Sequence, residues 1–297
     1  MRRPLTYLQV VGIALVCTVF SANAEIVVTD DLGRKVVLEK PARRIVALAP
    51  HIVENLYSAG AGDWLVGAVD YCDYPEAAKK IPRVGAISAY SLEAIVALKP
   101  DLVVMWNSGL GGKVLPKFLE LGLTVYANDP QTLDDIPRSL RDFGALAGAP
   151  EQGEKAAAEF TARLEKLRQD YSDQQRLSVL YQVWNQPLQT LNNDHIISDI
   201  IQLCGGTNAF GDAASIAPII SIESVITRNP DLIIASGMGE EKPEWLDDWK
   251  KYSSLTAVKN ADLYFVPPDI IQRHTVRILD GTERVCAALA VARGKRK

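Results

Sequence analysis

Two segments of the sequence repeat one short pattern 130 positions apart. SLEAIVALKPDLVV begins at Ser91 and SIESVITRNPDLII begins at Ser221. Each opens with serine, an aliphatic residue and glutamate, and each closes with Pro-Asp-Leu and two aliphatic residues. Serine is a favoured N-cap, proline ends helices, and a short aliphatic run is typical of a buried strand. The pattern therefore predicts a short helix followed by a buried strand in each half of the chain.

Short aliphatic runs also alternate with amphipathic segments along the rest of the chain. Strands are predicted at RRIVALAP, WLVGAV, DLVVMW, LTVYAND, LSVLYQVW and DLYFVPPD. This alternation predicts parallel strands connected by helices. We therefore expect two similar α/β lobes with parallel sheets, and the cleft between them is the expected ligand site.

The segment PEQGEKAAAEFTARLEKLRQDYSDQQ, which begins at Pro150, differs from both halves. Its apolar residues recur at helical spacing among charges, at Ala156, Phe160, Leu164, Leu167 and Tyr171. We interpret residues 149–175 as one long connecting helix between an N-terminal lobe, residues 25–148, and a C-terminal lobe, residues 176–297. The alternative is an ordinary surface helix inside one large domain.

The first 24 residues are typical of an export signal. Arg2 and Arg3 precede an apolar run from Val10 to Phe20, and Ala22-Asn23-Ala24 forms an A-x-A cleavage site. The apolar run of roughly 11 residues is too short to cross ~30 Å of hydrocarbon, which argues against a membrane anchor. We predict an exported protein with a signal peptide, residues 1–24, that is cleaved after Ala24.

The net charge and the absence of catalytic motifs argue against several classes of function. The formal net charge is −4 and becomes more negative once the signal is removed, which disfavours a nucleic-acid partner. No G-x-S-x-G, P-loop or H-E-x-x-H motif occurs, so no catalytic residue is predicted. The histidines, His51, His195 and His274, lack metal-ligand spacing, so no metal site is predicted. We expect a monomer that is not itself membrane-spanning.

Three cysteines follow the signal: Cys72, Cys204 and Cys286. In an oxidising compartment two of them are expected to pair, which leaves one over. Cys204 and Cys286 share the second half of the chain and are the favoured pair.

The chain resembles class III substrate-binding proteins of ABC importers, and within that family its cobalamin-binding members. The resemblance runs from Arg43 to Ala290 and rests on five segments: DYPEAAKKI, SLEAIVALKPDLVVMW, LCGGTNAF, SIESVITRNPDLII and ERVCAAL. It implies a periplasmic carrier of two α/β lobes joined by one long helix. The expected partner is the permease dimer of an importer with its ATPase subunits, and no resident cofactor is expected.

The resemblance also implies roles for particular residues. Glu93 and Glu223 match positions that form salt bridges with permease arginines, and the cysteines at 204 and 286 match a disulfide. Tyr71, Trp106 and Asp269 match ligand contacts. Tyr90 and Trp184 are further candidates near the cleft, and Arg273 could bind ligand carboxylates or amide oxygens, although packing or surface roles also suit these side chains.

The sequence departs from the cobalamin-binding pattern at three aromatic positions, which are occupied here by Ile87, Ala217 and Gln189. Trp184 could compensate for the ring missing at Gln189. Each lost ring forfeits about 1 kcal/mol or more. The resemblance makes cobalamin or a related corrinoid the expected ligand, and the lost rings leave haem and an iron–siderophore open as alternatives in the same fold. An exported chelatase-like enzyme is a further alternative.

Overall fold

The structure is a computed structural model, and it describes residues 25–171, 173–237, 239 and 241–296. The predicted signal peptide, residues 1–24, lies outside the described residues.

The described residues form short strands and helices that alternate through most of the chain. The strands are β1 Ile26–Thr29, β2 Lys35–Leu38, β3 Ile45–Ala47, β4 Leu65–Ala68, β5 Gly85–Ala86, β6 Ala89–Tyr90, β7 Leu102–Trp106, β8 Val125–Asn128, β9 Leu177–Gln182, β10 Trp184–Asn185, β11 Leu188–Gln189, β12 Gly206–Asn208, β13 Leu232–Ala235 and β14 Leu263–Phe265. The α-helices are α1 Pro50–Ser58, α2 Leu92–Ala97, α3 Gly112–Glu120, α4 Ile136–Leu146, α5 Pro150–Tyr171, α6 Ile196–Leu203, α7 Ile222–Arg228, α8 Thr256–Lys259 and α9 Ile278–Gly294.

Each half contains one four-stranded parallel sheet. The strand order is β4-β3-β7-β8 in the first half and β12-β9-β13-β14 in the second. The repeated strands β7 and β13 occupy the same place, between the first sheet strand of their half and its last. Helices cover the sheets, as parallel strands require. The predicted fold class, two similar α/β lobes joined by one long helix, is confirmed.

The two repeats build the same local structure. The Oγ atoms of Ser91 and Ser221 accept hydrogen bonds from the backbone N–H groups three residues on, at 3.1 and 3.2 Å. They are therefore N-caps of α2 and α7. Each repeat then turns through a left-handed residue just before its proline, Lys99 with φ 46° and Asn229 with φ 43°. This turn ends the helix and directs the chain into the strand.

The aspartates of the two Pro-Asp-Leu segments fasten each repeat to its sheet. Asp101 Oδ2 accepts a hydrogen bond from the N–H of Arg43 at 2.8 Å, and Asp231 Oδ2 accepts one from Ser178, also at 2.8 Å. Both donors lie where the neighbouring strand begins. The sequence similarity therefore reflects one supersecondary unit that is used twice.

Helix α5 follows α4 directly and leads into the second sheet. At 22 residues it is about 33 Å long. Its buried side chains, among them Phe160, Leu164 and Leu167, belong to the core of the second half, together with residues of α4. Gly144 and Gly153 allow α4 and α5 to approach closely, since a Cβ on Gly144 would lie 2.8 Å from the Cα of Gly153. The connecting helix thus packs as part of the molecule along its length.

A disulfide joins Cys204, which caps the end of α6, to Cys286 in α9. The predicted pairing is confirmed. Cys72 is buried and unpaired within the described residues, and burial raises the pKa of its thiol to about 12. That thiol is consequently unreactive at neutral pH.

Candidate functional site

The carboxyl ends of the two sheets face a common cleft. Trp106 ends β7 in the first half, and the segment after β14, residues 266–277, belongs to the second. These regions meet at α1, where the Nδ2 of Asn55 donates a hydrogen bond to the backbone oxygen of His274 at 2.8 Å. Crevices at the carboxyl ends of strands are the usual ligand sites of open α/β sheets.

A buried ion network crosses the cleft at Glu54. Its carboxylate, with the side chain 2% exposed, accepts hydrogen bonds from Arg273 Nη1 and from Arg277 Nε and Nη2, all at 2.8 Å. Arg273 also pairs with Asp73 at 3.2 Å and with Asp269 at 2.9 Å. The network couples α1 of the first half to the segment before α9 of the second. Both guanidinium groups are therefore already engaged by carboxylates.

One cavity of about 530 Å³, which we call the arginine cavity, opens beside this network. Its lining includes Tyr71, Asp73, Pro268, Asp269, Gln272 and Arg273. Tyr71 is 74% exposed and has φ 63°, a strained conformation for a large side chain. Strain of this kind concentrates at ligand-contacting positions. Burial raises the pKa of Asp269, although the adjacent Arg273 opposes that shift.

A second cavity of about 260 Å³, which we call the histidine cavity, is lined by Trp106, Ser108, Asp129, Asp194, His195 and His274, with apolar side chains such as Ile216. The His274 ring centroid lies 5.7 Å from that of His51 and 6.2 Å from that of His195. The Trp106 ring meets His51 edge-on at 5.5 Å.

The three imidazoles of this cluster are held neutral. Burial lowers the pKa of His195 and of His274 to about 4, and it lowers the pKa of His51 well below its usual value. The cluster therefore contributes hydrogen-bonding nitrogens, and no positive charge, at neutral pH.

The predicted ligand contacts divide between these cavities and other places. Tyr71, Asp269 and Arg273 line the arginine cavity, and Trp106 lines the histidine cavity. Tyr90 lines neither cavity: its ring stacks on Phe118 at 6.0 Å, and burial raises the pKa of its hydroxyl to about 12.

Trp184 lies on a small hairpin directly opposite Gln189. The Nε2 of Gln189 in turn donates a hydrogen bond to the backbone oxygen of Ala217 at 3.2 Å, and Ala217 lines the histidine cavity. Two of the three departures from the aromatic pattern are thus neighbours, and the exposed ring of Trp184 lies beside them. The third, Ile87, packs against the core of the first half.

Glu93 and Glu223 have matching surroundings. Each is exposed at the second position of its helix, and the burial pattern is identical from Ser91 to Ala97 and from Ser221 to Thr227. The N–H of Ser91 donates a hydrogen bond to the backbone oxygen of Val84, and the N–H of Val84 donates one to the end of β4. Glu93 therefore lies towards the carboxyl edge of its sheet. Hydrogen bonds from its own backbone N–H and from Ser221 lower the pKa of Glu223.

Within residues 25–171, 173–237, 239 and 241–296, no group of three or more His, Cys, Asp or Glu side chains is arranged to hold a metal ion. No helix in these ranges has the length and apolar character needed to cross a membrane.

Sequence reasoning missed the histidine cluster and the Glu54 network. The histidines lack metal-ligand spacing along the chain. The fold nevertheless brings them together from the start of α1, the cap of α6 and the segment before α9. The available signal was their position, because His51 follows the end of a predicted strand and His195 precedes a predicted helix. Such sites meet at one edge of an α/β sheet.

The fold and cleft are those of a periplasmic binding protein. The family described as periplasmic binding protein matches residues 45–270, and the chain belongs to that family. It is 37% identical over 252 residues to the vitamin B12-binding protein of Vibrio cholerae serotype O1, which covers 85% of this chain and 91% of the relative. It is 36% identical over 256 residues to the vitamin B12-binding protein of Vibrio campbellii, which covers 86% and 92%.

Solved structures agree with this assignment. The periplasmic vitamin B12 binding protein BtuF of Vibrio cholerae has a TM-score of 0.79 at 36% identity, covering 85% of this chain and 98% of that one. The periplasmic heme-binding protein RhuT from Roseiflexus sp. RS-1 has a TM-score of 0.75 at 23% identity, covering 84% and 99%. The second likeness concerns the fold alone.

Proposed function

We propose that this protein captures cobalamin or a related corrinoid in the cleft between its lobes. The observation that carries the proposal is the cleft itself. In a chain 37% identical to a vitamin B12-binding protein, its two cavities are lined by Tyr71 and Trp106. Large flat ligands gain most of their affinity by burial against aromatic faces, with a few polar groups that fix orientation. Asp269 and Arg273 supply such groups.

The three positions that lack aromatic rings determine which side chains are expected to supply the affinity for a corrinoid. Ile87, Ala217 and Gln189 stand where the cobalamin-binding pattern has rings, so corrinoid affinity should rest on Tyr71 and Trp106. Each missing stacking contact is worth about 0.5–1.5 kcal/mol beyond burial.

Isothermal titration calorimetry with the purified mature protein tests the proposal. Cyanocobalamin and cobinamide should give saturable heats, whereas haem and a ferric siderophore should give none. Absence of binding by both corrinoids would reject the proposal. Turnover of a tetrapyrrole and a metal ion would instead favour a chelatase-like enzyme over a non-catalytic carrier.

Haem is a second candidate because the neutral imidazole of His274 lines the histidine cavity. Imidazole is a common axial ligand of haem iron. A Soret shift on mixing with haem, abolished by His274→Ala, would favour this candidate. The calorimetric panel separates it from corrinoid binding.

We further propose that the mature chain begins after Ala24, acts in the periplasm and delivers its ligand to an importer composed of a permease dimer and ATPase subunits. Glu93 and Glu223 form one acid per lobe, and exposed aliphatic side chains follow each acid by three residues, Val96 at 41% and Ile226 at 39% exposure. A symmetric permease offering one arginine per subunit fits this repeated surface, because guanidinium binds carboxylate bidentately.

Stimulation of the reconstituted importer's ATPase tests docking. Glu93→Ala combined with Glu223→Ala should abolish the stimulation and leave ligand affinity unchanged. Glu151→Ala is the matched control, since Glu151 is also exposed at the second position of a helix. Normal stimulation by the double variant would contradict the docking proposal and leave ligand capture unaffected.

A further inference from the structure

Two of the three histidines, His195 and His274, line the histidine cavity, and His51 lies behind them against the rings of Trp106 and His274. The three histidines come from separate elements, and His51 and His274 are 5% and 8% exposed. The Nε2 of His51 is buried with no hydrogen-bond partner among the described residues. Burying the imidazoles of His51 and His274 side by side, with one nitrogen unsatisfied, costs free energy that simple packing would avoid. The arrangement therefore calls for a role in binding.

The hydrogen bonds of His195 fix what it presents to the cavity. His195 is the N-cap of α6, and its Nδ1 accepts a hydrogen bond from the backbone N–H of Ile197 at 3.2 Å. A neutral imidazole carries one proton, so that proton lies on Nε2. The imidazole side of the cavity therefore offers a hydrogen-bond donor without a positive charge.

Two carboxylates supply acceptors to the same cavity. Asp129 accepts hydrogen bonds from the Ser108 N–H at 3.2 Å and from the Ser108 hydroxyl at 2.7 Å, which hold its side chain in place. Asp194 is exposed beside it and accepts from Asn192 Nδ2 at 3.0 Å. No lysine or arginine is among the described residues that line this cavity. An anionic group entering it would meet like charge with no cation to offset it.

We propose that the histidine cavity binds a carboxamide side chain of the ligand macrocycle and thereby selects amide-bearing corrinoids over their carboxylic acid forms. A carboxamide offers a carbonyl to His195 Nε2–H and two N–H donors to Asp129 or Asp194. A carboxylate at the same place has acceptors only and faces the aspartates. The face of Trp106 packs against the adjoining apolar part of the ligand. This inference rests on the proposed function and names the chemical group that this part of the cleft recognises.

The test compares cyanocobalamin with its monocarboxylic acids, in each of which one propionamide is hydrolysed. In calorimetric titrations of the mature protein at pH 7, at least one monoacid should bind about tenfold more weakly than the parent. Asp129→Asn should reduce that discrimination to about twofold. Asp63→Asn is the matched control, since Asp63 is exposed elsewhere and the variant makes the same change in net charge.

His195→Ser isolates the donor, because serine keeps an N-cap at α6 while it removes Nε2–H. It should weaken cyanocobalamin binding about fivefold and leave the melting temperature nearly unchanged. His195→Asn serves as a second variant of the same kind. Equal affinity for the parent and every monoacid, or full discrimination in Asp129→Asn, overturns the inference while leaving corrinoid capture standing. If the wild-type protein binds no corrinoid, the proposed function and this inference are both rejected.

Discussion

Replacing Glu54 with glutamine tests how strongly the ion network couples the lobes. Glutamine keeps the shape of the side chain but removes its charge, and its NH₂ group would face guanidinium donors. Glu54 is 2% exposed, and Arg273 and Arg277 are 15% and 17% exposed, so water cannot readily replace the lost partner. The variant therefore leaves two cations partly buried without their central carboxylate.

The expected loss follows from what each arginine retains. Arg273 keeps Asp73 and Asp269, whereas Arg277 keeps the ring of Tyr74, whose centroid lies 3.8 Å from its guanidinium carbon. Breaking a buried ion pair by removing one partner costs about 3–5 kcal/mol. At roughly 2–4 °C per kcal/mol for a chain of this size, the melting temperature should fall by roughly 6–20 °C.

Thermal and urea unfolding followed by circular dichroism measure this change. Glu76→Gln is the matched control, because the pair of Glu76 with Lys79 has side chains that are 83% and 54% exposed. An exposed pair of this kind is worth about 0–1 kcal/mol. If Glu54→Gln lowered the free energy of unfolding by no more than Glu76→Gln, the view that this network fixes the lobes would be wrong.

Three other changes have defined outcomes. Because the pKa of His195 and of His274 is about 4 in the folded protein and about 6.5 when unfolded, their contribution to the free energy of unfolding is complete above about pH 6.5. In urea titrations, this contribution should decline by about 1–3 kcal/mol per residue as the pH falls to about 4. The variant His274→Gln should show a smaller decline over the same pH range. Removing the disulfide by Cys204→Ser with Cys286→Ser should cost about 2–5 kcal/mol in the same assay. Tyr71→Ala should weaken cyanocobalamin binding about 3- to 10-fold in calorimetry and leave the melting temperature unchanged, since the ring is 74% exposed.

The fold was predictable because its determinants are local. Serine caps, a turn before proline and aliphatic strands follow each other within 14 residues, and each feature acts on its immediate neighbours. The repeat also predicted that Glu93 and Glu223 would occupy equivalent helical positions, which the structure reproduces. The left-handed turns fall on Lys99 and Asn229, which are not glycines, so the sequence did not predict them.

The site was less predictable because its determinants are distant along the chain. His51, His195 and His274 share no local pattern, and only the meeting of the two sheets joins them. In the sequence, nothing distinguishes Glu54 from an ordinary acidic residue of a helix. The fold buries it against Arg273 and Arg277, which are more than 200 positions away. The sequence leaves Arg273 open between a ligand contact and an ordinary surface role. Its three carboxylate partners show that structural pairing is at least part of its role.

The repeat also explains how one protein can present equivalent helix surfaces in its two halves and an asymmetric cleft. Positions that agree between the halves, such as Glu93 and Glu223, lie exposed on α2 and α7. At the carboxyl ends of the repeated strands the agreement stops, since Trp106, the last residue of β7, corresponds to buried Ser236, which follows β13. A macrocycle with different side chains around its edge requires different neighbours on each side. Substitutions at these strand ends should therefore change ligand choice without altering the exposed surfaces of α2 and α7.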